Sequence, residues 1–347
     1  MQDSRNIKDC LDKLLSENDR VFIVPHNKPD MDALGSAIGM SLICKKNKKR
    51  SFIVIDDNIE KIETATRMVI EEIQNEFDII KASDIPNLIS DKSLMIAVDV
   101  NKENLISTKK YLDDFNSIFV LDHHKIDENT IKTPYLFVDE KLSSACEEVS
   151  RLVFLYGAKL TKDQANYLLA GIILDTNKLS KNVSADTFIV ASKLSSRGAD
   201  VAVASNLFLE DFEHDRAIQR LVDNTIFPTY VFAIASDTND SSKIYEIEDI
   251  AKAADYLLKY QVNATFALAY IDEETISISA RSKGIIDVSK IMKIFGGGGN
   301  EHSGAARIKG KTIDEIKSIL CSLLVPTNYI NDMHMDDDNI KLVLSKK

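Results

Sequence analysis

The stretch VFIVPHNKPDMDALGSAIGMSLIC, residues 21–44, combines a short apolar run, a polar loop and an apolar helix pattern. The run at residues 21–24 predicts a buried strand, because it is continuously apolar and a polar loop follows it. Residues 33–44 then suit a helix, since Leu34, Ile38 and Leu42 recur at the spacing of one helix face. A strand, a loop and a helix in this order are typical of an α/β domain.

Four further apolar runs have the same character. They cover residues 51–55, 94–98, 118–121 and 136–138. Helix-like stretches that would cover the sheet lie at residues 59–76, 144–156, 162–174 and 185–197. Short, continuously apolar strands are typical of a parallel sheet that is buried on both faces. We therefore predict an α/β fold with a doubly wound, mainly parallel sheet.

The pattern changes after residue 225. Strands are predicted at residues 231–235, 264–271, 275–280 and 305–308, and helices at 250–260, 288–295 and 313–323. This mixture predicts a second, smaller α+β domain. We expect a first domain at residues 1–225, a second at 228–325 and a C-terminal tail at 326–347.

Charge and composition exclude several classes of protein. The chain has 43 Lys and Arg against 54 Asp and Glu, a net charge of −11, whereas proteins that grip duplex DNA are usually basic. No apolar run approaches the roughly 20 residues of a membrane span, and the polar N-terminus has no secretory signal. The four cysteines form no closely spaced pair, which fits a reducing cytoplasm.

Acidic and histidine side chains follow closely on four apolar runs. They are His26, Asp30, Asp32, Asp99, Asp122, His123 and Asp175. Ligands bind outside the carboxyl ends of the strands in open α/β sheets, so we expect these side chains to converge on one crevice. Crowded carboxylates repel each other, and two divalent cations would remove that repulsion. Imidazole and carboxylate ligands favour manganese, with iron, cobalt or magnesium as alternatives. Taken alone, Asp30 and Asp32 would read as an N-cap and a first-turn acid.

Four segments together resemble the motifs of the DHH phosphoesterases. They are the loop at residues 26–36, Asp99, the Asp-His-His triplet at 122–124, and Asp175-Thr176. The run Gly296–Gly299, followed by Asn-Glu-His-Ser-Gly-Ala-Ala, is similar to the glycine motif of the DHH-associated C-terminal domain. Within the family, residues 29–39, 171–200 and 279–282 look closest to the GdpP-type cyclic-di-AMP phosphodiesterases.

The resemblance implies a role for each site residue. His26 and Asp30 would hold one metal ion, while Asp32, His123 and Asp175 would hold the other. Asp99 would bridge the two ions. Two catalytic roles are also implied: Asp122 would orient a metal-binding histidine, and His124 would lie near the substrate phosphate or the leaving oxygen.

The resemblance also implies a set of substrate-binding residues. They are Arg281, Ser143, Ser144, Gly297, Gly298, Gly299, Asn300 and His302. The family has a histidine directly after the glycines, whereas this chain has Asn300 there and His302 two residues later, so either side chain could contact substrate. For Ser144 the alternative is a helix N-cap, with Glu147 three residues on.

The function implied is a manganese-dependent phosphodiesterase that opens cyclic di-AMP to linear pApA with two Mn²⁺ per subunit. One alternative is a nanoRNase or 3′-phosphoadenosine 5′-phosphate phosphatase acting on short linear nucleotides, and another is a catalytically inactive nucleotide sensor. The expected partners are a small nucleotide or short oligonucleotide and, as an open alternative, a second copy of the chain. GdpP-type proteins carry membrane helices and further domains before this module, so we expect either a stand-alone cytoplasmic enzyme or the cytoplasmic part of a longer membrane protein.

Overall fold

The computed structural model describes residues 4–59, 62–208 and 212–324. The chain divides into two compact units between Leu209 and Glu210. Among the described residues, no helix combines the length and apolar character that crossing a membrane requires. The predicted C-terminal tail lies outside the described ranges.

The first unit is built on one parallel sheet. Its strands are β1 (Arg20–Val24), β2 (Arg50–Ile55), β3 (Asp78–Lys81), β4 (Ser93–Val98), β5 (Ser117–Asp122) and β6 (Tyr135–Val138). They lie in the order β3-β2-β1-β4-β5-β6, and every neighbouring pair is parallel. Its helices are α1 (Ser4–Glu17), α2 (Met31–Lys46), α3 (Thr64–Ile73), α4 (Ile85–Leu88), α5 (Ala145–Tyr156), α6 (Lys162–Asp175), α7 (Ala185–Ser195) and α8 (Val201–Asn206).

Both faces of this sheet are buried. On β1, Val21 and Ile23 pack in a cluster that includes side chains of α1, α2, α5 and α6. The alternate residues Phe22 and Val24 pack in a second cluster with Ile85 of α4. Successive side chains of a strand point to opposite faces, so burial on both sides explains the continuously apolar runs. The predicted doubly wound, mainly parallel sheet is confirmed.

The second unit contains a mixed sheet and four helices among its described residues. Its strands are β7 (Ile226–Thr229), β8 (Phe232–Ser236), β9 (Ala264–Tyr270), β10 (Thr275–Ser282), β11 (Gly298–Gly299) and β12 (Ser303–Lys309), in the order β11-β12-β10-β9-β8-β7. Only the β8–β9 pair is parallel among these neighbours. Its helices are α9 (Phe212–Asp223), α10 (Ile247–Leu257), α11 (Val288–Ile294) and α12 (Ile313–Leu324). The predicted second, α+β domain is confirmed as a fold class.

Helix α9 groups with the second unit. Its Ile218 and Leu221 are buried in one cluster with Ala233 of β8 and Ile250 of α10. The sequence pattern instead predicted that the first domain continues to residue 225. The difference arises because α9 is amphipathic, and its sequence marks an apolar face without showing which sheet that face covers.

Candidate metal centre

The strand order places the ends of β1 and β4 at a reversal of the chain. From β1 the sheet grows through β2 and β3 on one side, and the chain then returns to β4 on the other. Such a switch point leaves a crevice at the carboxyl ends of the strands. His26 follows β1, Asp99 follows β4, and Asp122 ends β5. Three of the predicted positions therefore lie at this crevice.

Asp30 begins α2 as its N-cap. Its Oδ1 accepts hydrogen bonds from the backbone N of Asp32 (2.8 Å) and of Ala33 (3.1 Å). The same carboxylate faces His26, whose Nε2 lies 3.9 Å from Asp30 Oδ1 and 3.7 Å from Asp99 Oδ2. The capping alternative for Asp30 is thus observed, and the cap also fixes the carboxylate beside two other potential ligands.

Asp32 is fully buried in the first turn of α2. Its Oδ2 accepts a hydrogen bond from Ala145 N (2.7 Å), and its Oδ1 accepts one from Cys146 N (2.8 Å). Both amides belong to the first turn of α5, where helix amides have no acceptor within their own helix. The start of α5 therefore holds this carboxylate in one orientation, and the helix dipole favours its charge.

The structure brings all six predicted metal ligands into overlapping groups. Within each group, one ligand atom per residue lies within 4.8 Å of the others; the groups are His26 with Asp30 and Asp99, Asp32 with His123 and Asp175, and Asp99 with Asp122, His123 and His124. His123 Nε2 lies 3.0 Å from Asp175 Oδ2, 3.3 Å from Asp99 Oδ1 and 3.8 Å from Asp32 Oδ2. Asp99 and His123 therefore connect the groups.

Asp175 reaches the site from a helix and not from a strand. It is the last residue of α6, in agreement with the helix predicted at residues 162–174. A carboxylate is unfavourable at the negative end of a helix dipole, so a cation near Asp175 would remove a repulsion as well as gain a ligand.

Asp122 orients the Asp-His-His segment. Its Oδ1 accepts hydrogen bonds from the backbone N of His123 (2.7 Å) and of His124 (3.2 Å), and it lies 2.8 Å from His124 Nδ1. Asp122 is buried, whereas the His124 side chain is 55% exposed. The ring that Asp122 holds directly is therefore that of His124, the more accessible histidine.

The crowding of charge shifts the ionisation of the buried groups. Burial, followed by the nearby Asp175 carboxylate, raises the pKa of Asp32 to about 6. Burial and the Asp32 carboxylate likewise raise the pKa of Asp99 well above its usual value. Burial alone would lower the pKa of His123, but its approach to Asp175 and Asp99 outweighs this and raises the pKa to about 11. A positive charge is thus favoured where His123 meets the carboxylates.

Unsatisfied buried atoms give a test of whether cations fit. Asp99 Oδ1, Asp122 Oδ2 and His123 Nε2 are buried, and none has a hydrogen bond of good geometry among the described residues. Buried polar atoms are normally satisfied, so each such atom calls for a partner. Carboxylate oxygens and imidazole nitrogens are ligands for divalent transition metals. The donor set therefore fits divalent cations.

Ser143 and Ser144 are both buried. Ser144 is the N-cap of α5, with its Oγ accepting from Glu147 N at 3.1 Å. The Ser143 hydroxyl donates to Glu147 Oε2. The N-cap alternative for Ser144 is therefore observed, and both hydroxyls have partners inside the fold; their predicted contact with substrate stays a prediction.

The glycine run in the second unit approaches its own chain closely. Gly298 and Gly299 pair with Ala305 and Gly304 of β12. A Cβ at Gly299, where φ is +142°, would lie 2.2 Å from Ser303 O, and one at Gly297 would lie 2.0 Å from Ala305 O. Glycine is thus required here for the hairpin itself. The role of these glycines in substrate binding stays a prediction.

The other predicted substrate residues also belong to the second unit. Asn300 Oδ1 accepts hydrogen bonds from the backbone N of His302 and of Ser303, each at 2.9 Å, and so closes the turn. The His302 side chain is 61% exposed. Arg281 donates from Nε to Asp255 Oδ1 at 2.9 Å. His302 Nδ1 lies 3.4 Å from Ser282 O, and its Nε2 lies 3.4 Å from Glu301 Oε1. Asn300 and His302 are both exposed, so both alternatives after the glycines stay open.

Sequence reasoning missed two residues that support the site. Asn101 is buried, and its Nδ2 donates to His124 O at 2.8 Å. Gly171 lies one turn before Asp175 on α6, and a Cβ there would lie 2.8 Å from Asp32 Oδ1. The sequence places Asn101 two residues after Asp99, and Gly171 four before Asp175 and inside the stretch 171–200 that carries the resemblance, but it indicates no role for either residue.

Comparison with known proteins agrees with this architecture. The DHH family, N-terminal domain, matches residues 20–172, and the DHHA1 domain matches residues 215–325. The chain contains a DHH domain followed by a DHHA1 domain. This DHH chain is 32% identical over 325 residues to the cyclic-di-AMP phosphodiesterase GdpP of Geobacillus thermodenitrificans, covering 91% of this chain and 49% of that protein. It therefore spans about half the length of that relative.

Two further similarities concern proteins of comparable length. The DHH chain is 24% identical over 318 residues to the bifunctional oligoribonuclease and PAP phosphatase NrnA of Mycoplasma genitalium, covering 88% of this chain and 93% of that protein. The crystal structure of an exopolyphosphatase-related protein from Bacteroides fragilis has a TM-score of 0.73 at 21% identity, covering 91% of this chain and 95% of the other. The structural likeness shows a shared fold.

Proposed function

We propose that this chain is a phosphoric diester hydrolase that opens cyclic di-AMP to linear pApA with the help of two manganese ions. The observation that carries the proposal is the set of buried carboxylate and imidazole donors in which Asp99 and His123 connect the groups. The similarity to GdpP, at 32% identity over 91% of the chain, supports the choice of substrate.

Each ligand residue has a place in this proposal. His26 and Asp30 would hold one ion, Asp32, His123 and Asp175 would hold the other, and Asp99 would contact both. When bound, two such ions activate water as a nucleophile and polarise the phosphoryl oxygens. The chain itself supplies fixed ligand directions, since Asp30 is held by the first turn of α2 and Asp32 by the first turn of α5.

His124 is the residue that we assign to the substrate. Its side chain is 55% exposed, and Asp122 lies 2.8 Å from its Nδ1. That contact fixes the ring and makes Nε2 the nitrogen that can contact the scissile phosphate or protonate the leaving 3′-oxygen. In the second unit, we assign nucleotide binding to Arg281, His302 and the backbone of the glycine run, with Asn300 shaping the turn.

A specific observation favours one alternative. The chain is 24% identical to NrnA over 318 residues, a match that includes 88% of this chain. This favours a nanoRNase or phosphoadenosine phosphatase that acts on short linear nucleotides. The third reading is a catalytically inactive sensor, which would bind nucleotide without turnover. It is disfavoured because every predicted ligand position holds a residue that can bind a metal.

One experiment separates these readings. Purified protein is incubated with cyclic di-AMP, pApA or 3′-phosphoadenosine 5′-phosphate, with Mn²⁺ or with EDTA, and products are followed by ion-pair chromatography. We expect Mn²⁺-dependent loss of cyclic di-AMP with accumulation of pApA and slow appearance of AMP. Much faster consumption of pApA would place the enzyme with the linear-nucleotide group, and binding without turnover would indicate a sensor.

Location and assembly are part of the same proposal. We propose that the chain acts in the cytoplasm and that it acts without duplex DNA. A homodimer is the assembly to test, by sedimentation of the purified chain with and without Mn²⁺.

A further inference from the structure

Glu147 is a buried carboxylate that the proposed chemistry does not use. It lies in the first turn of α5 and is 1% exposed. Its Oε2 accepts hydrogen bonds from the backbone N of Ser143 (3.2 Å), from the Ser143 hydroxyl and from Thr187 Oγ1 (2.8 Å). Its Oε1 accepts from the Arg151 guanidinium. A buried charge with this many donors is well compensated and holds its neighbours firmly.

These hydrogen bonds fix the point at which α5 begins. In a capping box, a glutamate at the third helical position bonds back to the backbone N of the N-cap residue. Here the N-cap is Ser144, and Glu147 reaches one residue further back, to Ser143. Thr187 ties the same carboxylate to the first turn of α7. Glu147 therefore holds the start of α5 in place through two contacts, one with Ser143 just before the N-cap and one with Thr187 of α7.

The start of α5 is also the part of the fold that holds Asp32. Two of its first amides, Ala145 N and Cys146 N, donate to the two oxygens of that carboxylate. If the first turn frayed or rotated, these amides would no longer point at Asp32, and the buried carboxylate would lose its fixed direction. Ligands of a metal are set in direction by the groups that bind them from behind, and loss of such a group weakens metal affinity.

We propose that Glu147 is a positioning residue for the metal centre, acting through Ala145 and Cys146 on Asp32. The inference rests on the proposed function, because it assumes that Asp32 is a metal ligand. It predicts a selective effect. The group of Asp32, His123 and Asp175 should bind its metal ion more weakly. The group of His26, Asp30 and Asp99 does not depend on α5 and should keep its ion.

The test uses Glu147→Gln and measures binding of Mn²⁺ by the electron paramagnetic resonance signal of the free ion. Glutamine has nearly the same shape, but in either orientation its NH₂ group must face a donor, Arg151 or Ser143 N. We expect one of two ions to bind about ten- to a hundredfold more weakly. Unfolding by urea in EDTA is measured in parallel, since a merely structural residue would change stability and leave the affinity unchanged.

Three further variants sharpen the result. Thr187→Val removes one donor to Glu147 and should weaken the same ion by a smaller factor, while Thr187→Ser keeps the hydroxyl and should restore it. Ser150→Ala is the matched control, because Ser150 is a buried serine of α5 whose Oγ has no hydrogen bond among the described residues; its affinity should match wild type.

Several outcomes would overturn the proposal. Wild-type affinity for both ions in Glu147→Gln would do so, as would an equal loss in Ser150→Ala. If Glu147→Gln does not fold, unchanged affinity in Thr187→Val decides against the proposal. Failure of the proposed function has a different signature: the wild-type protein itself would bind no Mn²⁺, which would remove the metal centre and this positioning role together.

Discussion

Replacing Gly171 by alanine should loosen the metal centre by pushing on Asp32. A Cβ at Gly171 would lie 2.5 Å from Cys146 Sγ and 2.8 Å from both the Cα and the Oδ1 of Asp32. Contacts this short require a shift, and the backbone of α2 cannot yield as a flexible side chain would. The added methyl group therefore acts on a ligand that the start of α5 otherwise holds in place.

Two opposing terms set the size of the effect on stability. Alanine in a helix interior is favoured over glycine by about 1 kcal/mol. Overpacking of a tight core costs about 1 to 3 kcal/mol. Gly171→Ala should thus lower the free energy of unfolding in EDTA by no more than about 2 kcal/mol. The affinity for one Mn²⁺ should fall about ten- to a hundredfold, because the displaced carboxylate no longer meets Ala145 N and Cys146 N.

The assay combines urea unfolding in EDTA with a Mn²⁺ binding isotherm. Gly39→Ala is the matched control: it lies on α2, and its Cβ would lie 2.4 Å from Val149 Cγ1 and 3.2 Å from Leu168 Cδ2. The added methyl group crowds the same layer of helices, but about two turns of α2 away from Asp32. The Gly39→Ala protein should therefore lose stability and keep its affinity for Mn²⁺. The reasoning fails if Gly171→Ala binds both ions normally, or if the two variants lose affinity equally.

Three further outcomes are expected. Asp99→Ala should abolish turnover and lower the metal content, while circular dichroism shows that the fold persists. Asp99→Asn should do the same, because asparagine tolerates the left-handed backbone at this position (φ 57°). Activity in either variant would remove Asp99 from the site. Ser144→Ala should lower the free energy of unfolding by about 1 kcal/mol through loss of the N-cap, measured by urea unfolding, and an unchanged midpoint would contradict the capping role. A fragment of residues 1–209, the first unit alone, should bind Mn²⁺ but lose most hydrolysis of cyclic di-AMP; full activity would show that the second unit does not bind substrate.

Much of the fold follows from the distribution of apolar residues. The central strands were predictable because burial on both faces makes each of them continuously apolar, as in residues 21–24 and 94–98. The edge strand β3 was missed, since its terminal residues Asp78 and Lys81 are exposed and no apolar run marks it. The placement of α9 also escaped prediction, because an amphipathic helix does not reveal which sheet its apolar face covers.

In the candidate site, too, some residues could be predicted from the sequence and others could not. His26, Asp99, Asp122 and His123 were predictable as a group because each lies at or just after the end of a strand of a parallel sheet, and such strands end at one edge. Glu147 and Gly171 act through partners that are distant in sequence, Thr187 and Asp32. Only the three-dimensional packing of α2, α5, α6 and α7 pairs these residues, so local patterns could not assign their roles.

The proposed metal ligands come from segments spread between His26 and Asp175, and this spread has a consequence for biosynthesis. Parallel strands pair only after their crossover connections have formed, so such contacts arise late in folding. A nascent chain therefore has no complete binding centre until α6 has left the ribosome, even though the loop of His26 and Asp30 emerges much earlier. Metal capture should accompany completion of the first unit, and the cell's free metal concentration would then bear on the yield of folded protein as well as on its activity.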